Sequence, residues 1–233
     1  MDKHLSTQFD AEISAITTRV LEMGGLVEAQ IAQAIYALRH FDAEAARGVV
    51  LNEQRVNRME VEIDAEVAQI IAKRQPTARD LRLMLAISKT ITNLERVGDE
   101  ADRIARMARD LVEEGANVSI SFGEIIRESD LAVAQIRKAL DAFARLDERA
   151  AVDIVTADSA IDAEFDSFMR KLITYVMEDP RNISASLDMV FIAKAIERIG
   201  DHAKNIAEFV IYVVRGTDVR HNKDAFNEVA GTL

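Results

Sequence analysis

The pentapeptide Glu95-Arg96-Val97-Gly98-Asp99 returns 102 residues later as Glu197-Arg198-Ile199-Gly200-Asp201, each copy late in a long helical pattern that follows a proline. The recurrence reaches further, because Leu26 to Asn57 aligns without gaps on Leu131 to Asp162 at an offset of 105. Ala29-Gln30-Ile31 comes back as Ala134-Gln135-Ile136, and Asp42 as Asp147. A unit of about 100 residues is therefore written twice, and such a chain is expected to fold as two similar domains.

Within each unit the apolar spacing is helical. Ile13, Ile16, Val20, Met23, Val27, Ile31, Ile35 and Leu38 keep a three-and-four rhythm that marks one amphipathic helix ending near His40. Asp42 then reads as the N-cap of a second helix through Arg74, and Gln75-Pro76-Thr77 breaks it before a third that runs to about Glu114. The second unit repeats the plan over Glu124 to Arg145, Asp147 to Met177 and Asn182 to Arg215. The expected fold is all-α, two tandem, pseudo-symmetric antiparallel three-helix bundles, with domains at 1–115 and 123–216, a linker at 116–122 and a loosely held tail at 217–233.

Composition narrows the chemistry. The chain has 233 residues, 49% of them hydrophobic, enough for two modest cores. A formal charge of -11 argues against nucleic acid, whose phosphates need a clustered basic surface. Without cysteine there is no thiolate metal site or disulfide, so any metal must use oxygen or imidazole ligands. The polar amino terminus has no apolar leader core, and the longest apolar run, Phe209 to Val214, is too short to span a bilayer. A soluble, cytoplasmic protein is expected.

The repeated acids are the candidate site. Residues four apart share a helix face, so each motif copy points two carboxylates one way. Mirroring positions about the turn between the second and third helices puts Glu53 beside Asp99 and Asn57 beside Glu95. The same operation in the second unit puts Asp158 beside Asp201 and Asp162 beside Glu197, across axes roughly 8 to 10 Å apart. Crowded carboxylates disfavour joint ionisation, and a hard or borderline cation with oxygen ligands would relieve them. The alternative is that Arg55, Arg96, Arg198 and Lys204 neutralise them as surface ion pairs, each worth about 0 to 1 kcal/mol. Gly98 and Gly200 cost up to about 1 kcal/mol in a helix, so they imply either close approach of the neighbouring helix or tight packing. His202 is expected to face solvent.

These residues resemble the PhoU family, the accessory regulators of bacterial phosphate-specific transport. The resemblance lies in the doubled three-helix plan, Leu81-Arg82 after the Gln-Pro break, and above all Ile196 to Glu208, Ile-Glu-Arg-Ile-Gly-Asp-His-Ala-Lys-Asn-Ile-Ala-Glu. It implies a cytoplasmic negative regulator that is not an enzyme, an adaptor between the ATPase subunit of the phosphate ABC importer and a sensor histidine kinase, expected as a homodimer. It also implies metal ions, iron or zinc and multinuclear, held by E/D-x-x-x-D motifs. Carried over, the ligands would be Glu53, Glu95 and Asp99 in the first unit and Asp158, Asp162, Glu197 and Asp201 in the second. Asn57 departs from the acidic pattern, and Asp102, one turn beyond Gly98, would substitute. Two other classes stay open at this point: a structural dimerisation bundle without metal, and a carboxylate-bridged di-metal oxidase, which the absence of any Glu-x-x-His pair disfavours.

Overall fold

In the computed structural model, which describes residues 2–113, 122–180 and 183–233, the described chain consists of helices and their connections. The first unit contains α1 (Asp2–His40), α2 (Ala43–Arg74) and α3 (Ala78–Glu113). The second contains α4 (Gly123–Arg145), α5 (Glu148–Ala157), α6 (Ser159–Glu178) and α7 (Ile183–Arg215), and α8 (Lys223–Ala230) ends the chain. The expected linker lies outside the described residues, apart from Phe122.

The helix starts follow from capping. Asp42 accepts hydrogen bonds from the backbone N–H groups of Glu44 and Ala45, and its repeat partner Asp147 accepts from Ala150. Each satisfies donors that the first helical turn leaves without a partner. At the far end of α2, Gln75 takes a left-handed conformation, and its N–H closes on the Ile71 carbonyl.

Three features differ from the sequence expectation. The helix expected to run unbroken from Asp147 to Met177 is interrupted at Asp158, where Ile161 N–H bonds the Asp158 carbonyl three residues back. No proline or glycine marks that tightened turn. The two expected cores are one: buried side chains from both units, such as Leu94, Ile104, Ile136, Ile196 and Ile206, form a single apolar cluster. The polar tail, expected to be loosely held, docks instead. Asn222 caps α8 through the Ala225 N–H, Val219 and Val229 are buried, and Arg220 stacks over the Phe209 ring at 4.9 Å.

What joins the units is α3 lying along α7. Arg198 donates to Glu100 at 3.1 Å, His202 Nδ1 and the Asn205 amide meet Asn93 Oδ1 at 2.9 and 3.1 Å, and Arg82 donates to the Val213 carbonyl at 3.4 Å. Numbers rise on one helix as they fall on the other, so the pair is antiparallel, with Gly98 and Gly200 at the level of the crossing. One shared core predicts one cooperative transition. Calorimetry of Leu94→Ala, which empties a fully buried position of the first unit, is expected to lower that single transition by about 2–5 kcal/mol. Two separable transitions would show that the units fold independently.

Candidate functional site

The acidic site of the first unit is built on α2 and α3, with α1 supplying its back wall. Glu53 is 8% exposed, and Gln30 on α1 donates from Nε2 to its Oε2 at 3.1 Å. A Cβ on Gly98 would stand 2.8 Å from that same Oε2, so the glycine makes room for the carboxylate of the neighbouring helix. Here the close-approach reading of the motif glycine describes the geometry. Glu53 Oε1, Gln30 Oε1 and Asp102 Oδ1 are buried without a hydrogen-bond partner. Burial, with Asp99, Asp102 and Glu95 adding like charge, pushes the Glu53 carboxyl up to about 7.

The structure thus brings Glu53, Glu95, Asp99 and Asp102 into one electrostatic neighbourhood. Asn57 is exposed on α2, while Glu95 is raised by burial and then by Asp99 and Glu60. Glu60 accepts from Thr92 Oγ1 at 3.3 Å. Asp102 pairs with Arg106 at 2.6 Å through Oδ2.

In the second unit the same plan gives a different balance. Asp158, 7% exposed, receives a hydrogen bond from Lys204 at 2.7 Å, and Lys204 occupies the position that Asp102 holds in the first unit. Asp162 is raised by burial, then by Asp158 and Glu197. Asp201, although exposed as a residue, is pushed up to about 6 by burial of its carboxyl and then by Glu197 and Asp158. Lys194 pairs with Glu197 at 2.6 Å. Gly200 faces not a carboxylate but Ile161, whose Cδ1 would lie 2.6 Å from an added Cβ. Of the expected neutralising cations, Lys204 forms its pair, Arg96 stands 3.7 Å from Glu95, and Arg198 turns to Glu100.

A further carboxylate joins this second cluster. Glu128 on α4 is 0% exposed, and neither of its oxygens has a hydrogen-bond partner. Burial, then Glu197, Glu164 and Asp162, push it up to about 8, against Lys194. The 105-residue offset aligns Glu128 with Met23, a fully buried core position, which is the signal that could have exposed it. Among the described residues no three His, Asp or Glu side chains stand close enough together to hold a metal ion as they are.

His202, expected to face solvent, is part-buried between α3 and α7 against Asn93. Burial and the nearby Arg96 and Arg198 push it down to about 4, so the imidazole is neutral at pH 7. Arg96 and Arg198, the arginines of the two motif copies, line one cavity of about 910 Å³ with His202, Lys204, Lys223 and Phe226. The repeat therefore does two things: its acids face the hairpin partners, and its arginines face each other's unit.

Comparison with known proteins agrees with this architecture. The PhoU domain matches residues 20–108 and 125–210, one copy in each unit. The phosphate-specific transport system accessory protein PhoU homolog of a Burkholderia sp is 51% identical over 222 residues, covering 95% of this chain and 94% of that protein. The accessory protein PhoU of Escherichia coli is 45% identical over 222 residues, covering 95% and 91%. The crystal structure of PhoU from Pseudomonas aeruginosa superposes with a TM-score of 0.86 at 44% identity, over 90% of this chain and all of that one. The phosphate transport system regulatory protein PhoU from Streptococcus pneumoniae gives 0.83 at 25% identity, over 91% and 99%.

The raised carboxyls set a pH dependence with a definite sign. Between 4.5, the ordinary value, and about 7 to 8, the folded metal-free chain holds more protons at Glu53 and Glu128 than the unfolded one, so stability falls as pH rises through that window. Melting is expected at a higher temperature at pH 5 than at pH 8. Glu128→Met, which installs the residue of the first unit, is expected to gain about 1–3 kcal/mol at pH 8 and less at pH 5. A gain equal at both pH values would mean that charge at Glu128 is not the cost.

Proposed function

The chain belongs to the PhoU family of phosphate-specific transport accessory proteins, and from that premise we propose that it is a cytoplasmic negative regulator of phosphate uptake and of the phosphate-starvation response. It acts without catalysis of its own, as an adaptor between the ATPase subunit of the phosphate ABC importer and the sensor histidine kinase of the phosphate two-component system, and it works as a homodimer. The single observation that carries this reading is identity of 45% to 51% across 95% of the chain with proteins named for that system. Absence of any described helix long and apolar enough to cross a membrane is compatible with it.

Metal binding belongs to the same proposal. The donor set fits a hard or borderline cation in kind, because it is made of carboxylate oxygens, and Glu53 Oε1 and Asp102 Oδ1 are buried with no hydrogen-bond partner. Iron or zinc would be held by Glu53, Glu95, Asp99 and Asp102 in the first unit, and by Asp158, Asp162, Glu197 and Asp201 in the second. A bound cation would supply the positive charge that these clusters lack. Glu53, on α2, and Glu95 and Asp99, on α3, tie two helices to one site, so occupancy would set how those helices pack. Gly98 keeps the Glu53 carboxylate at the motif, and Lys204, which holds Asp158 Oδ2, leaves Oδ1 of that carboxylate as the oxygen that would ligate.

Two measurements test the proposal. In a strain lacking this protein, phosphate-starvation genes are expected to stay on in rich phosphate; normal repression there would refute the adaptor function. Elemental analysis of untagged protein is expected to find stoichiometric iron or zinc, with the second unit's share lost in Glu197→Ala/Asp201→Ala and the first unit's share lost in Glu53→Ala. Metal-free wild type would leave a bundle whose acids are structural.

A further inference from the structure

Glu128 on α4 is fully buried, and neither of its carboxylate oxygens accepts a hydrogen bond. Two other buried acids of the second unit are held by cations, Glu124 by Lys171 and Arg127, and Asp158 by Lys204. A carboxylate kept in a core without a partner is costly and calls for a reason. The fold itself does not supply one, because the aligned position of the first unit holds Met23, an apolar side chain that is equally buried.

What surrounds Glu128 gives the reason. Helix α4 packs against both α6 and α7, and the charges acting on Glu128 are those of Glu197 on α7, Glu164 and Asp162 on α6, and Lys194. These acids run in a file from core to solvent: Glu128 has no exposure, the Glu197 side chain 15% and the Glu164 side chain 29%, and Asp162 is exposed. The nearby cations are engaged elsewhere. Lys194 pairs with Glu197 at 2.6 Å and lies 5.4 Å from the centroid of the Phe165 ring, and Arg127 pairs with Glu164 at 3.4 Å. About two turns further along the same face of α4, Gln135 also ends in a buried oxygen without a partner, 3.6 Å from where a Cβ on Gly200 would stand. The face of α4 that carries Glu128 therefore abuts the motif on α7.

We propose that Glu128 is a metal ligand contributed by α4, which together with Asp162 and Glu197 holds one cation beside a second held by Asp158 and Asp201. This role rests on the metal binding proposed above and adds a third helix to the site. Asp158 and Asp162 are one turn apart on α6, as Glu197 and Asp201 are on α7, so each helix offers one acid to each cation. The carboxylates do not stand close enough to hold an ion as they are. Binding therefore draws the outer acids, Asp162 and Glu197, inward onto Glu128, whose place in the core is fixed by packing. Three carboxylates from three helices suit a hard or borderline cation, and the ion becomes the partner that Glu128 lacks. Met23 cannot do the same in the first unit, so the two units bind unequal numbers of ions.

The probe is zinc alone, titrated calorimetrically into chelator-stripped full-length protein carrying Glu53→Ala, which silences the first unit. Adding Glu128→Met is expected to remove one zinc ion per chain. Glu128→Gln, which keeps the shape of the side chain and removes its charge, is expected to weaken the same ion at least tenfold. Circular dichroism is expected to show unchanged helicity in both variants, since methionine already fills this position in the first unit. Zinc bound in equal number and with equal affinity with and without the Glu128 carboxylate would overturn the proposal, and would leave Asp158, Asp162, Glu197 and Asp201 as the whole site. No zinc bound by the Glu53→Ala protein itself would overturn the metal reading of the second unit together with the role of Glu128, so the two failures are told apart.

Discussion

Helix α3 lies antiparallel along α7, and every group of interest hangs from one or the other or packs against them. The contact places the two Glu-Arg-x-Gly-Asp copies at one level of the molecule, where Arg198 reaches Glu100 and His202 reaches Asn93. It merges two small cores into one cluster, which buries more apolar surface per residue than either unit could alone. It also fixes which faces of α3 and α7 remain for the acids: those turned back toward α2 and toward α5 and α6. The crowding of carboxylates thus follows from how the units are joined, since the α3–α7 seam occupies the opposite faces.

That crowding is unequal. In the first unit a buried Glu53 shares its space with Glu95, Asp99 and Asp102, and Gly98 admits its carboxylate to the motif. In the second unit Lys204 and Lys194 offset part of the charge, Ile161 fills the room beside Gly200, and the uncompensated burial moves to Glu128 on α4. A buried carboxylate without a partner is costly, and a native fold keeps one where something in its working life relieves it.

Much of this was legible in the residues because it is local. The periodicity gave the long helices, Asp42 and Asp147 announced their caps, and reflection about the hairpin turn put Glu53 near Asp99. Reflection gives a level along the helix and not a direction around it, so it did not report Glu60, whose like charge helps raise Glu95. The interruption at Asp158 carries no helix-breaking residue, so nothing in the sequence marks it. Glu128, Asn93 and His202 depend on contacts between helices distant in sequence, which periodicity within one helix cannot report. The docked tail was missed because its stripe of Ala225, Phe226 and Val229 is short and set among charged residues.

The proposed affinity for cations rests on carboxylates held at an electrostatic cost in the metal-free fold. Carbon-13 NMR of the glutamate carboxyls, with Glu53 identified through Glu53→Gln, measures that cost at its centre. The account predicts that Glu53 in the metal-free protein titrates near 7. Titration at about 4.5, the ordinary glutamate value, would contradict it.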